Sequence, residues 1–255
     1  MKINMEYPTW EEISNKLGIS NIINPLEIYG DTALTKSENP LCICNNTQYK
    51  EDLVGIDIPV LLNKKACNSK GIIVILGESP LRNDDNKVPN NNIVFGLPYA
   101  VHMDENTPIQ SRMYKQIFNN LLSENYSVYL TDIIKVWWKG VKLDPQQTDI
   151  DLFKKELEIL QDTYKPKKII IVAFGKKAEK AIKTLEIESA ICLPHPSKLN
   201  WSTWKLKIFE KAVYSNNPSY ATNFYPTEET PTSEETIIEV VTTEINDRLS
   251  HNVHE

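Results

Sequence analysis

The residue types best suited to chemistry stand in two short motifs, Gly77-Glu78-Ser79-Pro80 and His195-Pro196-Ser197, each closing an apolar run. Glu78 brings a carboxylate, and His195 an imidazole that the next proline restrains. A third run, Val128-Tyr-Leu-Thr131, passes into Asp132 and then Lys135. Each motif also has a plain structural reading. A strand-end glycine with a nearby proline often makes only a turn, and a lone histidine is more often structural than functional. Asp132 could serve simply to bind a backbone amide or a helix start. The glycines near Glu78 lack the spacing of a phosphate-binding loop or a dinucleotide fingerprint, which argues against an unrelated nucleotide-binding enzyme.

These groups matter only if the chain brings them together. Gly71–Leu76, Val128–Thr131, Lys168–Phe174 and Ala190–Leu193 are apolar runs of strand length, the pattern of strands buried on both faces. Between them, Ile109–Leu122, Asp149–Tyr164 and Lys176–Leu185 carry apolar residues at helical spacing. Pro166 stops the second helix, Gly175 opens the third, and a further helix is predicted over Ser202–Tyr214. This alternation predicts an α/β fold: three layers, α/β/α, around a central, mostly parallel four-stranded sheet. Ligands bind beyond the carboxyl ends of such strands. Gly77–Pro80, Thr131-Asp132, Phe174-Gly175 and His195–Ser197 all fall there. Residues 71–225 form this core. Residues 1–70 read as an irregular N-terminal cap with a short helix near Pro8–Leu17. Residues 226–255 read as an acidic tail or a helix, with Ser233 as its cap and Ile237, Ile238, Val241 and Ile245 on one face.

Taken in order, the motifs resemble those of the uracil-DNA glycosylase superfamily. Glycine-x-x-proline after the first core strand and histidine-proline-serine after the last are that family's paired signatures. Ile93-Val-Phe95-Gly96-Leu-Pro98 is similar to the segment whose phenylalanine stacks on a flipped base. Leu130-Thr-Asp132-Ile-Ile-Lys135 resembles the family's strand ending in Thr-Asn followed by Val-Val-Lys, and Ile169–Ala178 resembles its strand–glycine–helix unit. The resemblance implies a monofunctional DNA base glycosylase without a cofactor. It would flip a uracil-like or modified pyrimidine into a pocket and hydrolyse the N-glycosidic bond. As that bond breaks, the sugar becomes a cation and the base an anion with charge on O2. The resemblance gives His195 the role of donor to O2 and Glu78 that of the carboxylate that steadies the cation and orients water. Gly77, Ser79, Pro80, Phe95 and Asp132 would bind the base. Ser197, Leu199 and Lys135 would contact DNA, Ser197 at a phosphate and Leu199 as a wedge in the emptied stack.

Two departures from the family pattern bear on the substrate. Ser79 stands where the family often has a catalytic Asp or Asn, and a hydroxyl cannot stabilise a cation by charge. Glu78 matches the glutamate of the Gly-Glu-x-Pro variant of the iron–sulfur branch, but the cysteines lack that branch's ligand spacing. Asp132 stands where the family has an asparagine that reads uracil. An ionised carboxylate only accepts hydrogen bonds, which favours an amino-bearing edge such as cytosine N4; a protonated one could donate to O4. The competing reading is a glycosylase-fold protein that binds nucleic acid or a nucleotide without excising a base.

The net charge of -6 is unevenly spread. Residues 226–255 hold eight acids against one base and residues 1–70 nine acids against seven bases, which leaves residues 71–225 with a surplus of three positive charges. Phosphate binding needs a basic face rather than a basic protein, so DNA, single-stranded DNA included, remains the expected partner. Trp137-Trp138 between Lys135 and Lys139 suits a single-stranded surface; the plainer reading puts one ring in the core and one at the rim. Cys42, Cys44, Cys67 and Cys192 are too few for a disulfide scaffold and wrongly spaced for a zinc site, so no metal is expected. No run reaches the roughly 18 apolar residues of a membrane helix. A cytoplasmic monomer with no membrane association is the expectation.

Overall fold

A computed structural model describes residues 43–45, 53–57, 59–62, 69–80, 92–100, 109–138, 144–197, 200–204 and 234–251. Nine strands and four longer helices lie among them. The strands are β1 (Ile43–Asn45), β2 (Leu53–Asp57), β3 (Val60–Leu62), β4 (Ile72–Gly77), β5 (Asn92–Gly96), β6 (Ser127–Asp132), β7 (Val136–Trp138), β8 (Ile169–Phe174) and β9 (Ile191–Leu193). The helices are α1 (Ile109–Ser123), α2 (Gln147–Tyr164), α3 (Lys176–Thr184) and α4 (Glu234–His251).

The principal sheet runs β3-β6-β4-β8-β9, with β6, β4, β8 and β9 parallel and β3 antiparallel on the β6 edge. It is the mostly parallel α/β sheet expected, with five strands rather than four because β3 adds to its edge. Every side chain of β4 is buried, as the unbroken Ile-Ile-Val-Ile-Leu run requires for a central strand covered on both faces. Burying each such side chain stabilises the fold by about 1.5–3 kcal/mol.

The chain leaves β4 toward β6 through α1, then crosses back over β4 to β8 through α2, and goes on to β9 through α3. Right-handed crossovers therefore put α1 on one face and α2 with α3 on the other. The direction of winding reverses at β4. The crevice where a doubly wound sheet binds ligands thus opens beyond Gly77, between the ends of β6 and β8.

The segment up to residue 70, read as irregular, contributes three strands. β1 and β2 join β5 and β7 in a second sheet of order β1-β5-β2-β7, and β3 joins the principal sheet. Asp57 N–H donates to Lys135 O at 2.8 Å, tying the two sheets where the chain passes between them. The short helix foreseen near Pro8–Leu17 and most of that foreseen over Ser202–Tyr214 lie outside the described residues. The acidic C-terminal segment contains α4, whose Ile237, Ile238, Val241 and Ile245 are buried. It packs along α1, and Asn120 Nδ2 donates to Thr242 Oγ1 across the contact at 3.3 Å.

Candidate active site

The end of β4 is zipped to the end of β6. Gly77 pairs with Asp132 in parallel register, and the ladder continues past the strands: Ile133 N–H donates to Gly77 O at 3.0 Å and Ile134 N–H to Glu78 O at 3.1 Å. The two motifs that the sequence separates by more than fifty positions are thereby held side by side. Asp132 is buried, and its Oδ1 lies against the bare Cα of Gly77. A Cβ at residue 77 would collide with that oxygen and stand 3.0 Å from the hydroxyl of Tyr99. Glycine is required here for close approach, since only hydrogen fits.

Glu78 and His195 arrive from opposite directions. Lys177 N–H, in the first turn of α3, donates to Glu78 Oε1 at 3.0 Å. The carboxylate sits at the positive end of the helix dipole and satisfies a donor that the helix leaves without an internal partner. Gly175 opens α3 with φ 94° and ψ 169°, a backbone that favours glycine, and a Cβ there would stand 2.5 Å from Glu78 Oε1. Gly175 N–H donates to Leu193 O at 2.9 Å, which fixes the end of β9 just before His195. Burial pulls the His195 imidazole below its ordinary pKa, and the Glu78 charge opposes that pull. The histidine therefore stays neutral at neutral pH, with one ring N–H to donate, and it senses the charge of Glu78.

Tyr99 lies against His195. It lies in a turn, Pro98–Ala100, that follows β5, with φ 59° and ψ 15°, the left-handed region that a tyrosine seldom enters. Its ring stacks on His195 with centroids 6.2 Å apart and meets Tyr114 and Phe118 of α1 edge-on at 4.8 and 5.3 Å. Phe174, at the end of β8, lies 6.4 Å away. Tyr99 and Tyr114 thus pack against His195, Phe118 and Phe174 lie fully buried beside Tyr99, and Asp132 and Glu78 bring negative charge to the crevice. Of these aromatic residues only Phe174 stood at an expected strand end; Tyr99, Tyr114 and Phe118 were not expected at the site. Tyr99 gives no signal in the sequence, because no turn rule places a tyrosine in the left-handed region.

A family model of the uracil DNA glycosylase superfamily matches residues 65–217. The chain belongs to that superfamily. A comparison with curated proteins gives no match. The matched stretch holds the four parallel strands, the crevice and both strand-end motifs, and leaves β1, β2, β3 and α4 outside it.

Within this superfamily member the other expected residues divide. Gly77, Glu78, Asp132 and His195 converge on the crevice; Ser79 and Pro80 lie in the loop that leaves β4, Ser79 half-buried and Pro80 buried. Phe95 is in β5 opposite Ile56; its side chain, like the whole of Leu199, falls outside what is described. Ser197 shapes its own loop: Asn200 donates to it from N–H to O at 2.9 Å and from Nδ2 to Oγ at 3.3 Å. Lys135 is a correction. Expected at DNA, its side chain is 1% exposed; its ammonium forms an ion pair with Glu156 Oε1 at 2.7 Å and donates to Thr131 Oγ1 at 2.8 Å and Asp132 O at 2.6 Å. Tyr129 and Thr131 hydroxyls donate to Glu156 Oε2 at 3.1 and 2.8 Å, completing a buried network behind the site. Trp137 is likewise in the core. Cys192 is a free thiol in β9. Among the described residues no three His, Cys, Asp or Glu side chains cluster so as to hold a metal ion.

Proposed function

We propose that the protein is a monofunctional DNA base glycosylase that hydrolyses the N-glycosidic bond of a flipped-out pyrimidine, acting as a monomer in the cytoplasm. The observation that supports this most is the meeting of a neutral, half-buried His195 and the Glu78 carboxylate at one crevice. A fixed N–H aimed at the departing base offsets its developing negative charge, the task of an oxyanion hole. A carboxylate beside the anomeric carbon offsets the opposite charge and holds the attacking water. Atoms balance simply: the C1′–N bond breaks, water adds to C1′, and the base leaves with a proton.

Asp132 gives the substrate reading. A carboxylate at the base edge favours a pyrimidine that presents an N–H donor there over one that presents only an oxygen. Base release from duplex and single-stranded oligonucleotides carrying uracil, cytosine or a modified cytosine tests both parts. Release of at least one of these bases, lost in His195→Ala, is expected. No release from any of them would leave a nucleic-acid-binding protein without catalysis. Robust uracil release that Asp132→Asn does not alter would sink the preference for an amino-bearing base.

A further inference from the structure

We infer that Tyr99 is the second half of the base-reading edge: its hydroxyl donates to an acceptor of the ligand while Asp132 accepts from a donor beside it. The inference rests on the reading of this crevice as a base pocket. It begins from an orphaned group. The Tyr99 hydroxyl is enclosed and has no hydrogen-bond partner among the described residues. Buried hydroxyls are almost always partnered, and leaving one without a partner destabilises a fold. Here the cost is compounded by a left-handed backbone, a strain that persists where a site requires it.

The location says what the hydroxyl is for. It and Asp132 Oδ1 both close on the space a side chain would fill at Gly77, at the end of β4 where the crevice opens. The ring is clamped by His195, Tyr114 and Phe118, so the hydroxyl has little freedom to turn elsewhere. Burial first, then the charge of Asp132, keeps this phenol protonated far above neutral pH, so it remains an O–H donor. Asp132 has interactions of its own, but two carboxylate oxygens offer about four acceptor positions. Together the pair presents one donor and one acceptor side by side. The matching ligand edge has a donor adjacent to an acceptor: N4–H with N3 in cytosine, or N3–H with O4 in uracil. A tyrosine and a carboxylate thereby do jointly what a single amide side chain does alone.

Tyr99→Phe removes the hydroxyl and keeps the ring. Binding of free cytosine and of free uracil to the wild-type protein and to this variant, with the melting temperature of each ligand-free protein, tests the inference. One of the two bases is expected to bind wild type and to bind the variant about tenfold more weakly, while the ligand-free variant melts at the same temperature or higher. Which base binds says which edge is read. Equal binding to both proteins would overturn the inference. So would a variant that melts several degrees lower, since its hydroxyl would then have served the fold. Failure of wild type to bind either base overturns it too. The excision reading is judged apart, by base release: Tyr99-dependent binding without release keeps this inference and defeats that reading. Undiminished release by Tyr99→Phe does the reverse.

Discussion

The backbone N–H of Lys177 donates to Glu78 Oε1 at 3.0 Å across 99 positions of sequence. One carboxylate therefore serves both as a cap on α3 and as the charge beside His195. Glu78→Gln separates the two duties, because an amide oxygen still accepts from Lys177. Stability should change by less than about 1 kcal/mol, whereas base release should fall about a hundredfold, the scale of losing one preorganised electrostatic group. Glu78→Ala should lose the cap as well, costing roughly 1 kcal/mol more. Denaturant melts alongside single-turnover rates check both; a rate that survives Glu78→Gln would reduce Glu78 to a cap.

His195 gives a pH dependence with a definite sign. Burial lowers its pKa from the ordinary 6.5, so the unfolded chain takes up a proton before the folded protein does. The stability this contributes is complete above pH 6.5 and is lost as pH falls from there toward the lowered folded value. The acid limb of base release should likewise lie below pH 6.5. In Glu78→Gln the charge that raises the histidine is gone, so the imidazole should titrate at still lower pH. NMR titration of the His195 ring in both proteins measures this directly, and an unmoved midpoint would show that Glu78 does not act on the ring.

Gly77→Ala should displace Asp132, because the added methyl meets its Oδ1. Overpacking of this kind costs about 1–3 kcal/mol, and base affinity should drop at least tenfold with the pocket edge. Gly175→Ala adds an unfavourable φ of 94° to a clash with Glu78, so it should slow release more than it weakens base binding. Rates and affinities measured on the same two variants separate these effects.

Lys135→Met should destabilise the fold by about 3–5 kcal/mol, since it leaves Glu156 charged and buried without its cation. Adding Glu156→Gln should restore a large part, because the amide oxygen still accepts from Tyr129 and Thr131. The salt dependence of DNA binding should be the same in the double variant as in wild type, as expected of a lysine that meets no phosphate. A reduced salt slope would return Lys135 to the DNA surface.

Ile245, fully buried between α4 and the core, offers a test of the C-terminal helix. Ile245→Ala should cost about 2–5 kcal/mol, as read from urea unfolding. A cost near zero would show that α4 does not belong to the folded core in solution.

The parallel core was legible because its strands are unbroken apolar runs and its helices keep a clean 3.6-residue pattern. The crevice was legible because glycine, proline and histidine interrupt those runs at their carboxyl ends. The second sheet was not: β1 and β3 have three residues each, too short for alternation to register amid Asn- and Pro-rich sequence. Lys135 misled because lysine is rarely buried without a partner and its partner lies in another element. A clue was available in α2, where Glu156 stands between Phe153 and Leu160 on the apolar face. Tyr99 had no clue. Its role follows from a backbone conformation that tertiary packing imposes.

The packing of α4 on α1 also sets an order of assembly. The apolar side of α1 that α4 covers stays open until a segment more than a hundred residues later in the chain is in place. Contacts that distant slow folding, and the surface they cover is exposed in the meantime. During synthesis, Glu78, Asp132 and His195, with the strands that lead to them, would all leave the ribosome before the helix that covers α1.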